Sequence, residues 1–142
     1  MTEKEWIEKI KRECVFNIGN FDIKYAIQLK GKPGSNIEFV SISKSFMNVS
    51  IIDRAKHRKF YAKMKDKDAF DTRNGLKTGQ RFAVTWVTID DPDPVVADLD
   101  ESAVYKQGLE KGAATFARLE GAYSDEHGRI YFVSQRRVKQ FL

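Results

Sequence analysis

Arg118 and Glu120 are the residues whose types and spacing are best suited to chemistry. If Thr115 to Glu120 is extended, side chains two residues apart point to the same side, so Phe116, Arg118 and Glu120 share one face. A guanidinium group binds oxyanions, and a carboxylate is a ligand for hard cations. The spacing therefore indicates either a site for an oxyanion and a metal or a surface ion pair that contributes little to stability.

Two motifs around this pair resemble the PhoX-type alkaline phosphatase family. One consists of FARLEG followed after a short turn by RIYFVS, and the other is FDTRNGLKTGQRFAVTWVTIDDPDP. The joined pattern runs from about Phe60 to Ser134, roughly half of the chain. The resemblance implies a β-propeller with iron and calcium at its centre. It also implies that Arg118 contacts phosphate as the catalytic residue and that Glu120 is a metal ligand.

The sequence departs from that family in several respects. The family domain is several times longer, and it includes a cysteine that bridges the irons. The only cysteine here is Cys14, which lies outside the matching region in a predicted helix. The resemblance therefore predicts a partial phosphatase whose substrate would be a phosphate ester. It would be inactive alone, because most metal ligands are missing.

Length and composition limit the kind of protein that this sequence encodes. A chain of 142 residues with 42% hydrophobic and 32% charged residues fits one small domain, or two very small ones, with a core. No apolar run is long enough to cross a bilayer, and the charged first residues lack the apolar centre of a signal peptide. We therefore expect a cytoplasmic protein without a membrane partner, although PhoX-type enzymes are usually exported.

The basic residues concentrate in the first half of the chain. Residues 1 to 67 carry 15 Lys and Arg against 8 Asp and Glu, whereas residues 68 to 142 carry 10 against 12. The densest cluster contains Lys56, Arg58 and Lys59, followed by Phe60 and Tyr61 as stacking partners. This cluster is a possible anion-binding surface for nucleic acid or an acidic partner, or else a solvated basic turn. It supports an alternative function as a non-enzymatic binding module.

The first forty residues predict a helix followed by strands. Thr2 to Cys14 has a capping-box start and helical spacing of apolar residues, and Asn17 to Asn20 interrupts that pattern. Phe21 to Leu29 alternates apolar and polar residues, as expected for a half-buried strand. Ile37 to Ser43 is predicted as a second strand, paired antiparallel with it.

The segment from Phe46 to Met64 has two interpretations. As strands, Val49 to Ile52 and Lys59 to Met64 form a hairpin of the kind found in a propeller blade. As a helix, the segment faintly resembles BolA-type small α/β proteins, with His57 and Arg58 at the positions of their Arg-His-Arg motif. The two histidines of the sequence, His57 and His127, lack metal-ligand spacing and are predicted to lie in loops.

In the second half, alternating apolar residues predict strands at Phe82 to Ile89 and Arg129 to Ser134, and Asp98 to Gly112 is predicted as a helix capped by Asp100. The intervening carboxylates are either calcium ligands or part of an acidic connector; they are Asp90, Asp91 and Asp93.

Together these patterns predict an α+β fold, mainly antiparallel β, with a partial β-propeller-like segment preceded by an N-terminal helix. Three segments are predicted. Residues 1–59 form a basic segment with a helix and strands, residues 60–134 form the PhoX-like propeller segment, and residues 135–142 form a basic tail. The uneven charge and the partial match also fit a truncated or fused reading frame without selected function.

Overall fold

The computed structural model describes residues 5, 14–21, 24–31, 39–42, 47–53, 58–74 and 76–135. Their strands all belong to one antiparallel sheet. The strands are β1 (Cys14–Phe21), β2 (Lys24–Lys30), β3 (Phe39–Ile42), β4 (Val49–Asp53), β5 (Arg58–Met64), β6 (Arg81–Ile89), β7 (Leu119–Ser124) and β8 (Ile130–Gln135). One α-helix, α1 (Ala103–Glu110), and two short 3-10 helices, Thr72–Asn74 and Val95–Asp98, lie in the connections of this described part.

The sheet is curled like a half-barrel. Its strand order is β3-β4-β5-β6-β1-β2-β8-β7, so β3 and β7 form its two edges. These two edges approach each other. Beside them, the backbone N–H of Phe116 donates a hydrogen bond to the carbonyl of Met47 over 2.8 Å. The curl therefore gives the sheet one enclosed face for the core and one outward face that other elements can cover.

Alternation along β5 shows how the two faces are used. Phe60, Ala62 and Met64 belong to the main core, together with buried residues from most of the other strands. Tyr61 points to the opposite face and packs with Ile89 and Ala113 in a smaller apolar cluster. The period of two thus assigns neighbouring residues of one strand to two different environments.

Helix α1 covers this smaller cluster. Val104 packs against the cluster from the first turn of the helix. Further along, a Cβ built on Gly108 would lie 2.5 Å from Cδ2 of Tyr61, so the helix backbone passes very close to that ring. After the helix, Gly112 has a φ of 90° and confirms the predicted stop, because glycine adopts this conformation without steric cost.

The beginning of the chain differs from its prediction. Most of the predicted helix from Thr2 to Cys14 lies outside the described residues, but Cys14 itself is the first residue of β1. Asn17 to Asn20, predicted only to interrupt the helical pattern, belong to β1. The strand accommodates Asn17 because its Nδ2 donates to Oε1 of Gln28 over 3.0 Å, and Gln28 Nε2 donates to the hydroxyl of Tyr131 over 2.9 Å.

The hairpin interpretation of the middle segment is confirmed. β4 and β5 pair antiparallel, so the alternative helix in this segment is wrong. The predicted pairing of Ile37 to Ser43 with Phe21 to Leu29 is also wrong. β3 pairs with β4, whereas both sides of β2 are occupied by β1 and β8. The strand that precedes β2 in the chain and pairs with it is thus β1, which was not predicted.

The second half follows its predictions closely. β6, α1 and β8 occur where the patterns placed them. The residue at the N-cap is Ser102 rather than Asp100, and Asp100 Oδ1 instead accepts hydrogen bonds from the backbone N–H and hydroxyl of Ser102, at 3.0 and 2.6 Å. These hydrogen bonds hold the turn that leads into the helix.

The α+β, mainly antiparallel class is confirmed, whereas a propeller is not observed. Eight strands share one sheet, and both predicted segments, 1–59 and 60–134, contribute strands to it. Of the predicted tail, only Gln135 is described, as the last residue of β8. Within the described part, we find no helix with the length and apolar character needed to cross a membrane.

Candidate functional site

A pocket of about 530 Å³ opens on the outward face of the sheet. One wall comes from β5, another from the connection between β6 and α1, and the third from the first turn of α1. Its lining combines aromatic and proline rings with one amine and three carboxylates. The lining residues are Lys59, Tyr61, Pro92, Asp93, Pro94, Ala97, Asp98, Glu101, Val104 and Tyr105.

Lys59 is the cation of this pocket. It lies two residues before Tyr61 on β5, so both side chains emerge on the outward face. The side chain is half-buried, and Nζ lies 5.4 Å from the centroid of the Tyr61 ring. Burial lowers the pKa of Lys59, because removal from water disfavours the charged form. No ion pair joins Lys59 to any residue that the structure describes.

The three carboxylates come from one acidic stretch. Asp93, Asp98 and Glu101 line the pocket, and none forms an ion pair with another described residue. The cations closest to them in sequence are used elsewhere. Lys111 pairs with Asp90 and Lys106 pairs with Asp100, each over 2.8 Å. Three carboxylates therefore face one amine in the described lining of the pocket, an excess of acidic groups.

Specific contacts hold the walls of the pocket together. The backbone N–H of Asp91 donates to Oε1 of Gln107 over 2.9 Å, and Nε2 of Gln107 donates to the carbonyl of Asp91 over 2.7 Å. This paired contact ties the acidic connection to α1. The hydroxyl of Tyr105, on the same helix, lies 2.9 Å from the hydroxyl of Thr115, which follows the helix. The pocket is therefore preformed by packing and hydrogen bonds.

Arg118 and Glu120 lie elsewhere, on the surface beside β7. The predicted proximity is confirmed, since Nε of Arg118 is 3.4 Å from Oε1 of Glu120. The predicted common face with Phe116 is wrong. Phe116 is completely buried, whereas 73% of the Arg118 side chain is exposed. The chain is not extended at Arg118, whose φ is 32°, and this reverses the side to which the arginine points.

The basic cluster does not act as one surface in the described part of the chain. Lys56 and His57 lie outside the described residues. Arg58 pairs with Asp53 across the hairpin over 2.7 Å, and Lys59 enters the pocket. The two described cations of the predicted anion site therefore have separate environments.

The acidic run after β6 does not gather a metal centre. Among the residues that the structure describes, no three His, Cys, Asp or Glu side chains are close enough to hold a metal ion. Asp90 is paired with Lys111, and Asp93 faces the pocket. His127 occupies a turn, where its backbone N–H donates to Oδ1 of Asp125 over 2.9 Å. Its predicted position in a loop is confirmed.

Comparison with known proteins gave no match to any family model, curated protein or solved structure. The resemblances to PhoX-type phosphatases and BolA-type proteins therefore stay predictions from sequence motifs. Lys59 was among the residues predicted from the sequence, but its association with Asp93, Asp98 and Glu101 was not predicted. The signal for that association was the run of acidic residues interrupted by prolines, which leads from β6 into the helix.

Proposed function

We propose that this chain is a non-enzymatic binding module whose pocket takes a small, flat, cationic molecule. One observation carries the proposal: Asp93, Asp98 and Glu101 line an aromatic pocket without an ion pair to any described residue. A cationic ligand would supply the missing counter-charge, and the faces of Tyr61 and Tyr105 would favour a cation further.

The position of Lys59 is compatible with such a ligand. Burial already disfavours the charged form of this amine, so its charge is not fixed. A cation bound at the carboxylates would favour the neutral amine further, because two like charges in one pocket repel each other.

The test uses two probes with the same ring and opposite charge. Benzamidine is flat and cationic, whereas benzoate is flat and anionic. We expect calorimetry to show binding of benzamidine and none of benzoate. In the double variant Asp98→Asn and Glu101→Gln, the Kd for benzamidine should rise about tenfold, the equivalent of losing about 1.4 kcal/mol. Glu126→Gln, in an exposed turn outside the pocket lining, should leave the Kd unchanged.

Either of two results would contradict this function. Equal binding of benzoate and benzamidine would show that the carboxylates do not select the ligand. Equal binding of benzamidine by the double variant and the unmodified protein would place its site outside this pocket. In each case, circular dichroism of the variants establishes that they are folded.

The motif resemblance supports a second proposal, a partial PhoX-type phosphatase that acts on phosphate esters. Its supporting observation is that Arg118 and Glu120 lie 3.4 Å apart on the surface. The described residues gather no metal centre around this pair, so they do not fit the calcium and iron of that family. We expect negligible hydrolysis of p-nitrophenyl phosphate with calcium and iron added. Hydrolysis that Arg118→Ala and Glu120→Ala both abolish would instead support an active phosphatase.

The alternative of a basic surface for nucleic acid or an acidic partner is less favoured. Arg58 is engaged by Asp53, and Lys59 shares its pocket with carboxylates. A basic nucleic-acid site would give binding that weakens with salt and with neutralisation of Lys56, Arg58 and Lys59. We expect no such binding to single-stranded or double-stranded DNA.

A further inference from the structure

We propose that Lys59 forms a reversible imine with an aldehyde group carried by the pocket's ligand. The inference rests on the proposed function for its pocket and adds a covalent step and a substrate class to it. In this inference the amine forms a covalent bond to the ligand. The amine lines a cavity that is large enough for an aromatic aldehyde.

The environment of Lys59 distinguishes it from three other described lysines, Lys63 on the same strand and Lys106 and Lys111 in and just after α1. Lys106 and Lys111 each place Nζ 2.8 Å from an aspartate oxygen, which stabilises their ammonium forms. On β5, Nζ of Lys63 lies 3.4 Å from the carbonyl oxygen of Met64. No carboxylate or carbonyl of a described residue holds Lys59 in this way. Its amine therefore remains available to a ligand in the pocket.

Burial also makes the amine of Lys59 a better nucleophile than that of an exposed lysine, because it increases the neutral fraction. Desolvation lowers its pKa, so a larger fraction of the amine is neutral near pH 7 than for an exposed lysine. Only the neutral amine has the lone pair that attacks a carbonyl carbon. Tyr61 contributes an aromatic face to this environment, at 5.4 Å from Nζ.

Apart from Tyr61, which lies near Lys59 on β5, the other titratable groups of the described lining come from the other two walls. They are Asp93, Asp98, Glu101 and Tyr105. Negative charge at these carboxylates favours protonation of the amine, and this opposes the effect of burial. All three carboxylates are exposed to solvent, which weakens that interaction. Desolvation therefore dominates at Lys59.

The covalent step is balanced without an oxidant or a reductant. The Nζ lone pair forms a bond to the aldehyde carbon, and a proton passes from nitrogen to the carbonyl oxygen to give a carbinolamine. Protonation of the hydroxyl by solvent then allows it to leave as water while the C=N bond forms, and the resulting iminium returns its N–H proton to solvent. The products are one imine and one water molecule, and hydrolysis reverses the reaction.

The experiment uses 4-formylbenzamidine, which joins an aldehyde to the cationic probe of the proposed function. Cyanoborohydride reduces an imine to a stable secondary amine, and peptide mass spectrometry then locates the adduct. We expect Lys59 to be modified about tenfold faster than exposed Lys65 in the same molecule at pH 7. Excess benzamidine should slow modification of Lys59 and leave that of Lys65 unchanged.

Two further measurements separate this inference from the proposed function. Lys59→Arg should lose the adduct, and calorimetry of the unmodified protein measures benzamidine binding separately, without a covalent step. Equal modification of Lys59 and Lys65 in a protein that binds benzamidine would overturn the imine and leave the binding function intact. Preferential modification of Lys59 by plain benzaldehyde without any benzamidine binding would support the imine and overturn the cationic ligand. If the protein neither binds benzamidine nor shows preferential modification of Lys59, both proposals are overturned.

Discussion

Asp53 and Arg58 form a nearly buried ion pair at the end of the β4–β5 hairpin. Nη2 and Nε of Arg58 lie 2.7 and 3.2 Å from Oδ2 of Asp53, and the two residues face each other in the strand register. The side chain of Arg58 is only 14% exposed and that of Asp53 only 8%. The guanidinium is therefore a structural partner of the aspartate and is not presented to an external anion.

Arg58→Ala should destabilise the protein strongly. Removing one partner of a buried ion pair leaves the other charge desolvated, and the expected loss in the free energy of unfolding is about 3 kcal/mol. Urea unfolding followed by circular dichroism measures this loss. The expected cause is the aspartate left behind, so adding Asp53→Asn to Arg58→Ala should recover part of the stability.

Arg73 provides the matched control for this prediction. It also pairs with an aspartate over 2.7 Å, but both side chains of the Arg73–Asp71 pair are more than 40% exposed. Arg73→Ala should therefore cost less than about 1 kcal/mol. Equal losses for the Arg58 and Arg73 variants would contradict the difference in burial on which the prediction rests.

The parts of the fold that were predictable are those specified by neighbouring residues. In β6, Val84 and Trp86 are buried where the alternation placed them. In β4 and β5, two apolar runs flank a short turn, and the hairpin was one of the two interpretations that the sequence allowed. Local periodicity carries this information because side chains alternate between the two faces of a sheet.

The parts that were missed depend on residues far apart in the sequence. Asn17 was predicted to interrupt a helix and no strand was predicted there. Its amide is satisfied by Gln28 on β2, which in turn reaches Tyr131 on a third strand. The pocket likewise needs Lys59 on β5 and the carboxylates that follow β6. Such combinations arise from the order of strands in the sheet, which local patterns do not specify.

Gly108→Ala should disturb both the helix and the pocket. The added Cβ would lie 2.5 Å from the Tyr61 ring, and Tyr61 is itself buried, so helix α1 must shift outward. We expect a loss of about 1 to 2 kcal/mol from overpacking, even though alanine has the higher helix propensity. The Kd for benzamidine should rise in parallel, because the same helix supplies Val104 and Tyr105 to the pocket.

Glu110→Ala on the same helix is the control for this variant. Glu110 is exposed at the last position of α1, where alanine adds no contact with the sheet. The stability of the Glu110→Ala protein should be unchanged or slightly increased, since a carboxylate is unfavourable at the C-terminus of a helix. A Gly108→Ala protein as stable as the Glu110→Ala protein would show that the helix does not press on Tyr61.

The turn between β7 and β8 should make stability depend on acid pH through Asp125. Burial raises the pKa of Asp125, but hydrogen bonds from the backbone N–H and guanidinium of Arg129 and from the backbone N–H of His127 outweigh it and lower that pKa to about 2. The unfolded chain has the ordinary value of 3.8. Because the folded pKa is depressed, the stabilisation is present above pH 4 and is lost as the pH falls towards 2.

Asp125→Asn tests this dependence. The variant should unfold at a lower urea concentration than the unmodified protein at pH 7, and the difference should shrink as the pH falls from about 5 to about 2. Glu126→Gln is the control, because Glu126 is the adjacent residue of the same turn and its side chain is 88% exposed. Its unfolding curve should follow that of the unmodified protein at each pH. A constant difference between the Asp125→Asn and unmodified proteins across this range would mean that the carboxylate's charge does not stabilise the turn, and that the loss at pH 7 comes from the changed geometry of its hydrogen bonds.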